Sequence, residues 1–117
     1  GPTLMFEGPL DTGLPETVAR SAVAVTREAL SNVARHASAT NAEVMARLDE
    51  TGSFLLTVTD NGVGPPETPQ HGFGLSNLRS RAAELGGSFE LRARPGGGAV
   101  AEWIVPVAID PAPQHER

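Results

Sequence analysis

Between Pro15 and Thr59 the apolar residues change their spacing once, from every third or fourth position to every second. A chain built this way has to pack a helix against strands. At 100° per residue, Val18, Ala22, Val25, Ala29, Val33 and His36 fall on one stripe. Ala19, Thr26, Leu30 and Ala37 widen it, and Arg20, Arg27 and Ser31 lie opposite. The pattern predicts an amphipathic helix over Pro15 to His36, with proline near the first turn, where a missing N–H costs little. From Ala42 onward, Ala42, Val44, Ala46 and Leu48 alternate with Glu43, Met45, Arg47 and Asp49. After the turn residues Thr51-Gly52-Ser53, the alternation resumes at Phe54, Leu56 and Val58. That is a hairpin with one buried face.

The rest of the chain repeats the scheme. Thr3 to Glu7 reads as a short edge strand ahead of Gly8-Pro9, and Gly1 to Gly13 as a whole reads as a fragment entry rather than a natural start. A loop rich in glycine and proline follows Asn61. A second helix starts near Leu75, carries Leu78, Ala82 and Leu85 inward, and stops at Gly86-Gly87. Ser88 to Arg94 and Ala99 to Val107 form a last strand pair around Pro95-Gly96-Gly97-Gly98. Trp103 is in phase with Ala99 and Ala101, which makes it a core or half-buried residue. The order β-α-β-β-α-β-β predicts an α+β fold, a two-layer α/β sandwich whose mixed sheet is covered by helices on one face.

Composition removes several function classes. At 117 residues there is room for one domain, and 39% hydrophobic with 20% charged residues fits a folded one. No cysteine is present, so disulfides, thiolate metal sites and Cys nucleophiles are excluded. The formal net charge of -5, with 9 basic against 14 acidic residues, argues against nucleic acid as a partner. Four Phe and one Trp are too few for a platform that stacks single strands. No apolar run approaches the roughly 20 residues that span a bilayer. Zinc-type spacing and a G-x-S-x-G elbow are both missing.

Three features stand out against this background. Asp60 continues the phase of Phe54, Leu56 and Val58, so a carboxylate points to the apolar side of a strand end. Burying an unpaired charge is costly, which asks for a partner. The plainer reading, an Asp capping the turn Asp60-Asn61-Gly62, has about even weight. Glu28 and Asn32 are one helical turn apart at the border of the apolar stripe, where together they could hold a hard cation and a water or hydroxyl. Taken alone, that pair is more often an ordinary helix border. Finally, Gly62, Gly64, Gly72 and Gly74 lead straight into a helix N-terminus, which suits a phosphate group. A flexible glycine loop is the bland alternative, and no G-x-x-x-x-G-K-[ST] phosphate loop is present.

Each feature is weak alone, but their order and spacing are specific. R-E-A-L-S-N-V-A-R-H-A over residues 27–37 resembles the N box of the GHKL ATPase superfamily. D-N-G-V-G over 60–64 resembles its D-x-G-x-G box, and G-F-G-L-S-N-L-R-S-R over 72–81 its second glycine box. The form of the last, after a short lid, is similar to the sensor histidine kinases of the NarL- and DesK-partnered subgroup. The haem-based dormancy sensor kinases of actinobacteria are a suggested closer tie. The resemblance spans roughly residues 3–107 and implies the Bergerat fold. It also implies a catalytic domain over 1–109, followed by a flexible tail over 110–117.

By that resemblance Asp60 would accept a hydrogen bond from the adenine amino group of ATP, with Gly62 and Gly64 letting the backbone pass close to the base. Asn32 would ligate Mg²⁺, and Glu28 would act as the general base or orient it. Arg35 would contact phosphate, and Gly72, Gly74 and the N–H of Leu75 would face the phosphates. His36 stands where relatives often carry Tyr beside the nucleotide, although its wheel position equally fits a core histidine. The implied partners are a dimerisation domain carrying the phosphoacceptor His and, indirectly, a response regulator of the LuxR/NarL type. The domain itself would be a cytoplasmic monomer without membrane contact. Neither His36, His71 nor His115 sits in an acceptor-type helix, so the acceptor is expected on another domain. Ala99 and Val100 stand where relatives often have Thr or Ser, which puts one adenine contact in doubt. The lid over 61–71 is short, and its one formal charge, Glu67, would pair with Arg35 or His36 when the site is empty, or be simply solvated. The competing readings are a stand-alone serine kinase of the anti-sigma-factor type and a non-catalytic nucleotide sensor.

Overall fold

The computed structural model describes residues 3–7, 14–37, 39–65 and 75–107. Strand β1 (Thr3–Glu7) is followed by helix α1 (Glu16–Asn32), a π-helical turn (Val33–Ala37) and the hairpin β2 (Ala42–Leu48) and β3 (Ser53–Asp60). Helix α2 (Leu75–Glu84) then leads into the second hairpin, β4 (Ser88–Ala93) and β5 (Ala99–Pro106). The strands form one sheet in the order β1-β2-β3-β5-β4. Only β1 runs parallel to its neighbour, pairing Thr3 with Glu43 and Glu7 with Arg47. The other three pairings are antiparallel. The mixed sheet and the edge position of β1 agree with the sequence pattern.

Alternation sorts the sheet into two faces. Val44, Ala46 and Leu48 of β2 and Phe54, Leu56 and Val58 of β3 are buried on the inner face. Val18, Val25 and Ala29 of α1 and Leu78 and Ala82 of α2 are buried and belong to the same core cluster. Each Val, Leu or Phe side chain among them that is removed from water contributes roughly 1.5–3 kcal/mol, and each Ala less. Trp103 is the largest fully buried residue and meets Phe54 edge-to-face, with centroids 6.2 Å apart and an 80° interplanar angle. On the outer face Arg92 bridges Glu102 at 3.1 Å and Glu90 at 3.3 Å, joining β4 to β5.

Local chemistry sets the ends of the elements. In the β2–β3 turn, the Asp49 Oδ1 accepts hydrogen bonds from the N–H of Ser53 (3.0 Å), the Thr51 hydroxyl (2.7 Å) and the Thr51 N–H (3.0 Å). These bonds, the Ser53 one foremost, hold its carboxyl below the usual carboxylate value. Helix α2 ends in a glycine cap. The Gly86 N–H bonds to Ala83 O at 3.0 Å and the Gly87 N–H to Ala82 O at 2.8 Å, with Gly86 at a φ of 81°. That is a Schellman ending, which needs a left-handed residue at the first position beyond the helix.

One element departs from the periodicity. The helix expected to run as a uniform α-helix to His36 is α-helical only to Asn32 and passes into a π turn. A π turn closes over one extra residue, so each residue advances the chain by a smaller angle than in an α-helix. The wheel positions assigned to residues 33–37 are therefore corrected. Val33 still packs against the core, while Arg35 is exposed.

Candidate functional site

Where the end of β3 meets α1 and α2, the sheet opens into a cleft. Its floor comes from Val58 and Asp60 of β3, Phe89 and Leu91 of β4 and Ala99 and Ala101 of β5. Ala29, Asn32 and Val33 form one wall, Leu75 and Leu78 of α2 the other, and Gly64 and Pro65 close the rim. Counted to its open mouth the cleft holds about 520 Å³.

Asp60 is the one buried charged residue among the described residues, with 6% of its surface exposed. Its position follows from the strand period: with Phe54, Leu56 and Val58 inward, residue 60 is inward too. Among the described residues its carboxylate takes one hydrogen bond, from the Gly62 N–H to Oδ1 at 2.8 Å. The turn-capping reading therefore holds, and the same carboxylate also borders the cleft. One oxygen caps the turn, and the carboxylate as a whole lines a mostly apolar cleft. Asn32, on the opposite wall, is half-buried, and its carboxamide oxygen is fully enclosed.

The remaining candidate residues divide by position. Gly64 lines the cleft at a φ of 90°, and Gly62 supplies the N–H that holds Asp60. Leu75 lines the cleft as the first residue of α2. Glu28 is half-buried one turn before Asn32 and is not part of the cleft lining. Arg35 is exposed on the π turn and also lies off the lining. His36 belongs to the same turn, but its side chain lies outside the described residues, as do Gly72, Gly74, Glu67 and His71 of the lid and the tail over 110–117. The register pairs Asp60 with Ala99, so of the two residues in place of the usual hydroxyl it is Ala99 that faces the cleft.

Two contributors escaped the sequence reading. Asn61 ties the entry to β2 onto the end of β3. Its Oδ1 accepts the N–H groups of Thr40 and Asn41, both at 3.0 Å, and its Nδ2 donates to the Thr40 hydroxyl at 2.9 Å. Residue 61 looked only like turn composition, and nothing in the spacing tells which Asn in a turn reaches back across a hairpin. Gly98 is the other. In the sequence it reads as one of three turn glycines, but its backbone lies directly on the end of β3.

The chemistry of this donor set can be tested against candidate ligands. An inward carboxylate beside apolar walls suits a flat, mostly apolar group with a polar hydrogen to donate. Among the described residues no group of three or more His, Cys, Asp or Glu could hold a metal by itself. A hard divalent ion at Asn32 would need most of its oxygens from a phosphate ligand, which is the usual way magnesium is held. Among the described residues no helix is long and apolar enough to cross a membrane.

Comparison with known proteins agrees with the geometry. The model of the family described as histidine kinase-, DNA gyrase B- and HSP90-like ATPases matches residues 17–109. The chain is 31% identical to the sensor histidine kinase LiaS of Bacillus subtilis over 109 residues, 92% of this chain and 30% of that protein. It is 31% identical over 99 residues to the sensor protein VraS of Staphylococcus aureus, 83% of this chain and 28% of that one. A NarQ homologue of Haemophilus influenzae is 31% identical over 70% of this chain and 15% of its own. The chain thus spans less than a third of the length of these relatives. Among solved structures, a blue-light activated histidine kinase of Erythrobacter litoralis superposes with a TM-score of 0.72 at 22% identity, covering 92% of this chain and 36% of that one. The ATP-binding domain of PrrB from Mycobacterium tuberculosis does so at 0.63 and 23%, covering 90% and 80%. At these identities the two structures share the fold.

Proposed function

The chain belongs to the histidine kinase-, DNA gyrase B- and HSP90-like ATPase family, and from that premise we propose that its cleft is the nucleotide site of a sensor kinase's catalytic domain. The domain binds Mg-ATP and passes the γ-phosphoryl group to a histidine on a separate dimerisation domain. A response regulator, of the LuxR/NarL type, receives it in turn. The observation that carries this reading is the buried Asp60 carboxylate on an apolar cleft floor, with Asn32 across from it. ATP as substrate argues for a cytoplasmic domain, and the absence of any histidine in an acceptor-type segment argues for a partner.

Asp60 accepts the hydrogen bond of the adenine amino group, and Val58, Leu78 and Ala101 bury the ring. Asn32 would help hold Mg²⁺, which would supply positive charge beside the triphosphate. Arg35 adds a positive charge near the phosphates. Gly62 and Gly64 let the backbone pass close to the base, and Gly72, Gly74 and the Leu75 N–H would face the phosphates. Glu28 takes the ring proton of the accepting imidazole, or orients that ring for attack. A nitrogen–phosphorus bond then forms as the bond from the γ-phosphorus to the bridging oxygen breaks, and ADP departs with the electron pair. Such transfer depends mainly on positioning and charge neutralisation, which these residues supply.

Calorimetric titration of Mg-ATP into the chain tests the assignment. The wild-type chain is expected to bind. Asp60→Ala should lose roughly tenfold or more in affinity, because a hydrogen bond to a charged group contributes about 1.5–3 kcal/mol. Asn32→Ala should bind without the magnesium dependence. A folded wild-type chain that takes up no nucleotide, or an Asp60→Ala chain that binds as tightly as the parent, would overturn the reading.

A further inference from the structure

The β4–β5 turn contains three consecutive glycines, all at positive φ: Gly96 at 90°, Gly97 at 118° and Gly98 at 105°. Their surroundings differ. A Cβ at Gly96 or Gly97 would meet nothing within 4 Å. A Cβ at Gly98 would overlap the carbonyl oxygen of Asp60, and would stand 2.8 Å from the Asp60 carbonyl carbon and 2.9 Å from Asn61 Cα. Real side chains do not come so close to backbone, so one of the two strands would have to move. The turn is in turn held in place: the Arg94 N–H bonds to Gly98 O at 2.9 Å, and the Gly97 N–H to Arg94 O at 3.0 Å. The Gly98 carbonyl oxygen also lies 3.3 Å from where a Cβ on Gly64 would stand. Gly98 therefore sits between the carboxylate-bearing strand end and the rim of the cleft.

We propose that Gly98 is a positioning residue for base recognition, and that its missing side chain is what allows the end of β3 to hold the Asp60 carboxylate where it can read an amino group on the ligand's ring. This rests on the nucleotide reading given above and adds a specificity determinant to it. Gly98 does not touch the ligand; it acts through Asp60. The displacement demanded by a Cβ falls on the backbone of residues 60 and 61, and the Gly62 N–H bond to the same carboxylate is two residues away.

The test compares ATP with purine riboside triphosphate, which lacks the ring amino group, in the wild-type chain, Gly98→Ala and Gly97→Ala. Gly97→Ala carries the same positive-φ strain without the overlap, so it controls for the cost of the turn. The wild-type chain should prefer ATP by roughly ten- to a hundredfold, the value of a hydrogen bond to a charged acceptor. Gly98→Ala should bring that preference close to one, while Gly97→Ala keeps it. A general loss of structure would lower both affinities and leave their ratio unchanged. Should Gly98→Ala not fold, one extra glycine inserted between Gly96 and Gly97 slackens the turn at little loop cost and should also reduce the preference. If the wild-type chain binds neither nucleotide, the functional reading falls, and the positioning role is read instead from amide hydrogen exchange at Gly62 in the ligand-free chain. Exchange there should rise at least tenfold in Gly98→Ala, or in the insertion variant, and stay unchanged in Gly97→Ala. A Gly98→Ala chain that keeps its ATP preference, or that leaves Gly62 exchange at the wild-type rate, overturns the proposal.

Discussion

Asp60 and Ala99 face each other across the seam between β3 and β5, on the same side of the sheet. The methyl of Ala99 brings no hydrogen-bonding group to the neighbourhood of the carboxylate. Ala99→Ser would place a donor and acceptor beside Asp60 in a position that is 7% exposed. One added hydrogen bond contributes about 1 kcal/mol net. The expected result is a several-fold gain in ATP affinity by calorimetry, with no gain from Val100→Ser, whose side chain points to the outer face. At this scale much of the site was legible from the sequence. Asp60 declared itself because a carboxylate in phase with core residues breaks the strand pattern, and Asn32 because it shares a helix border with Glu28. Asn61 and Gly98 were not legible. Their roles come from what lies next to them in space, on strands that the sequence separates.

Among elements, α2 and its ending show how two adjacent glycines differ in kind. Gly86 is required by its backbone angle, at a φ of 81°, and not by space, since a Cβ there would meet only the Pro106 ring at ordinary contact distances of 3.5 and 4.0 Å. Gly87 has no positive φ, but a Cβ on it would overlap Ile104 O and lie 2.7 Å from Val105 Cα. Gly86→Ala should cost about 1–2 kcal/mol, the usual strain of an L-residue in the left-handed region. Gly87→Ala should cost more, because β4 would have to lift from β5 at its first pair, Ser88 with Ile104. Urea unfolding of both variants ranks them, and equal losses would argue against the packing account. Strands β2, β3 and β5 and both helices were legible because period 2 and period 3.6 are easy to tell apart over seven or more residues. The π turn was not, since five residues of slightly altered pitch leave no mark on an apolar stripe. Its effect is local: it ends the regular helix at Asn32, one of the residues that line the cleft.

For the molecule as a whole, what matters is which strands are joined by short turns and which are not. The pairs β2–β3 and β4–β5 close over tight turns, whereas β3–β5 and β1–β2 join residues far apart in the chain, such as Asp60 with Ala99 and Thr3 with Glu43. Contacts between distant residues carry a loop-closure cost that must be met before they stabilise anything. In time, therefore, the two hairpins should come first and the seam between them late. The cleft lies on that seam, with Asp60 on one side and Ala99 and Ala101 on the other. A ligand bound there holds together contacts that the folding transition state has not yet made. Nucleotide should accordingly slow unfolding while leaving the folding rate nearly unchanged, a split that stopped-flow refolding and unfolding with and without Mg-ATP would reveal.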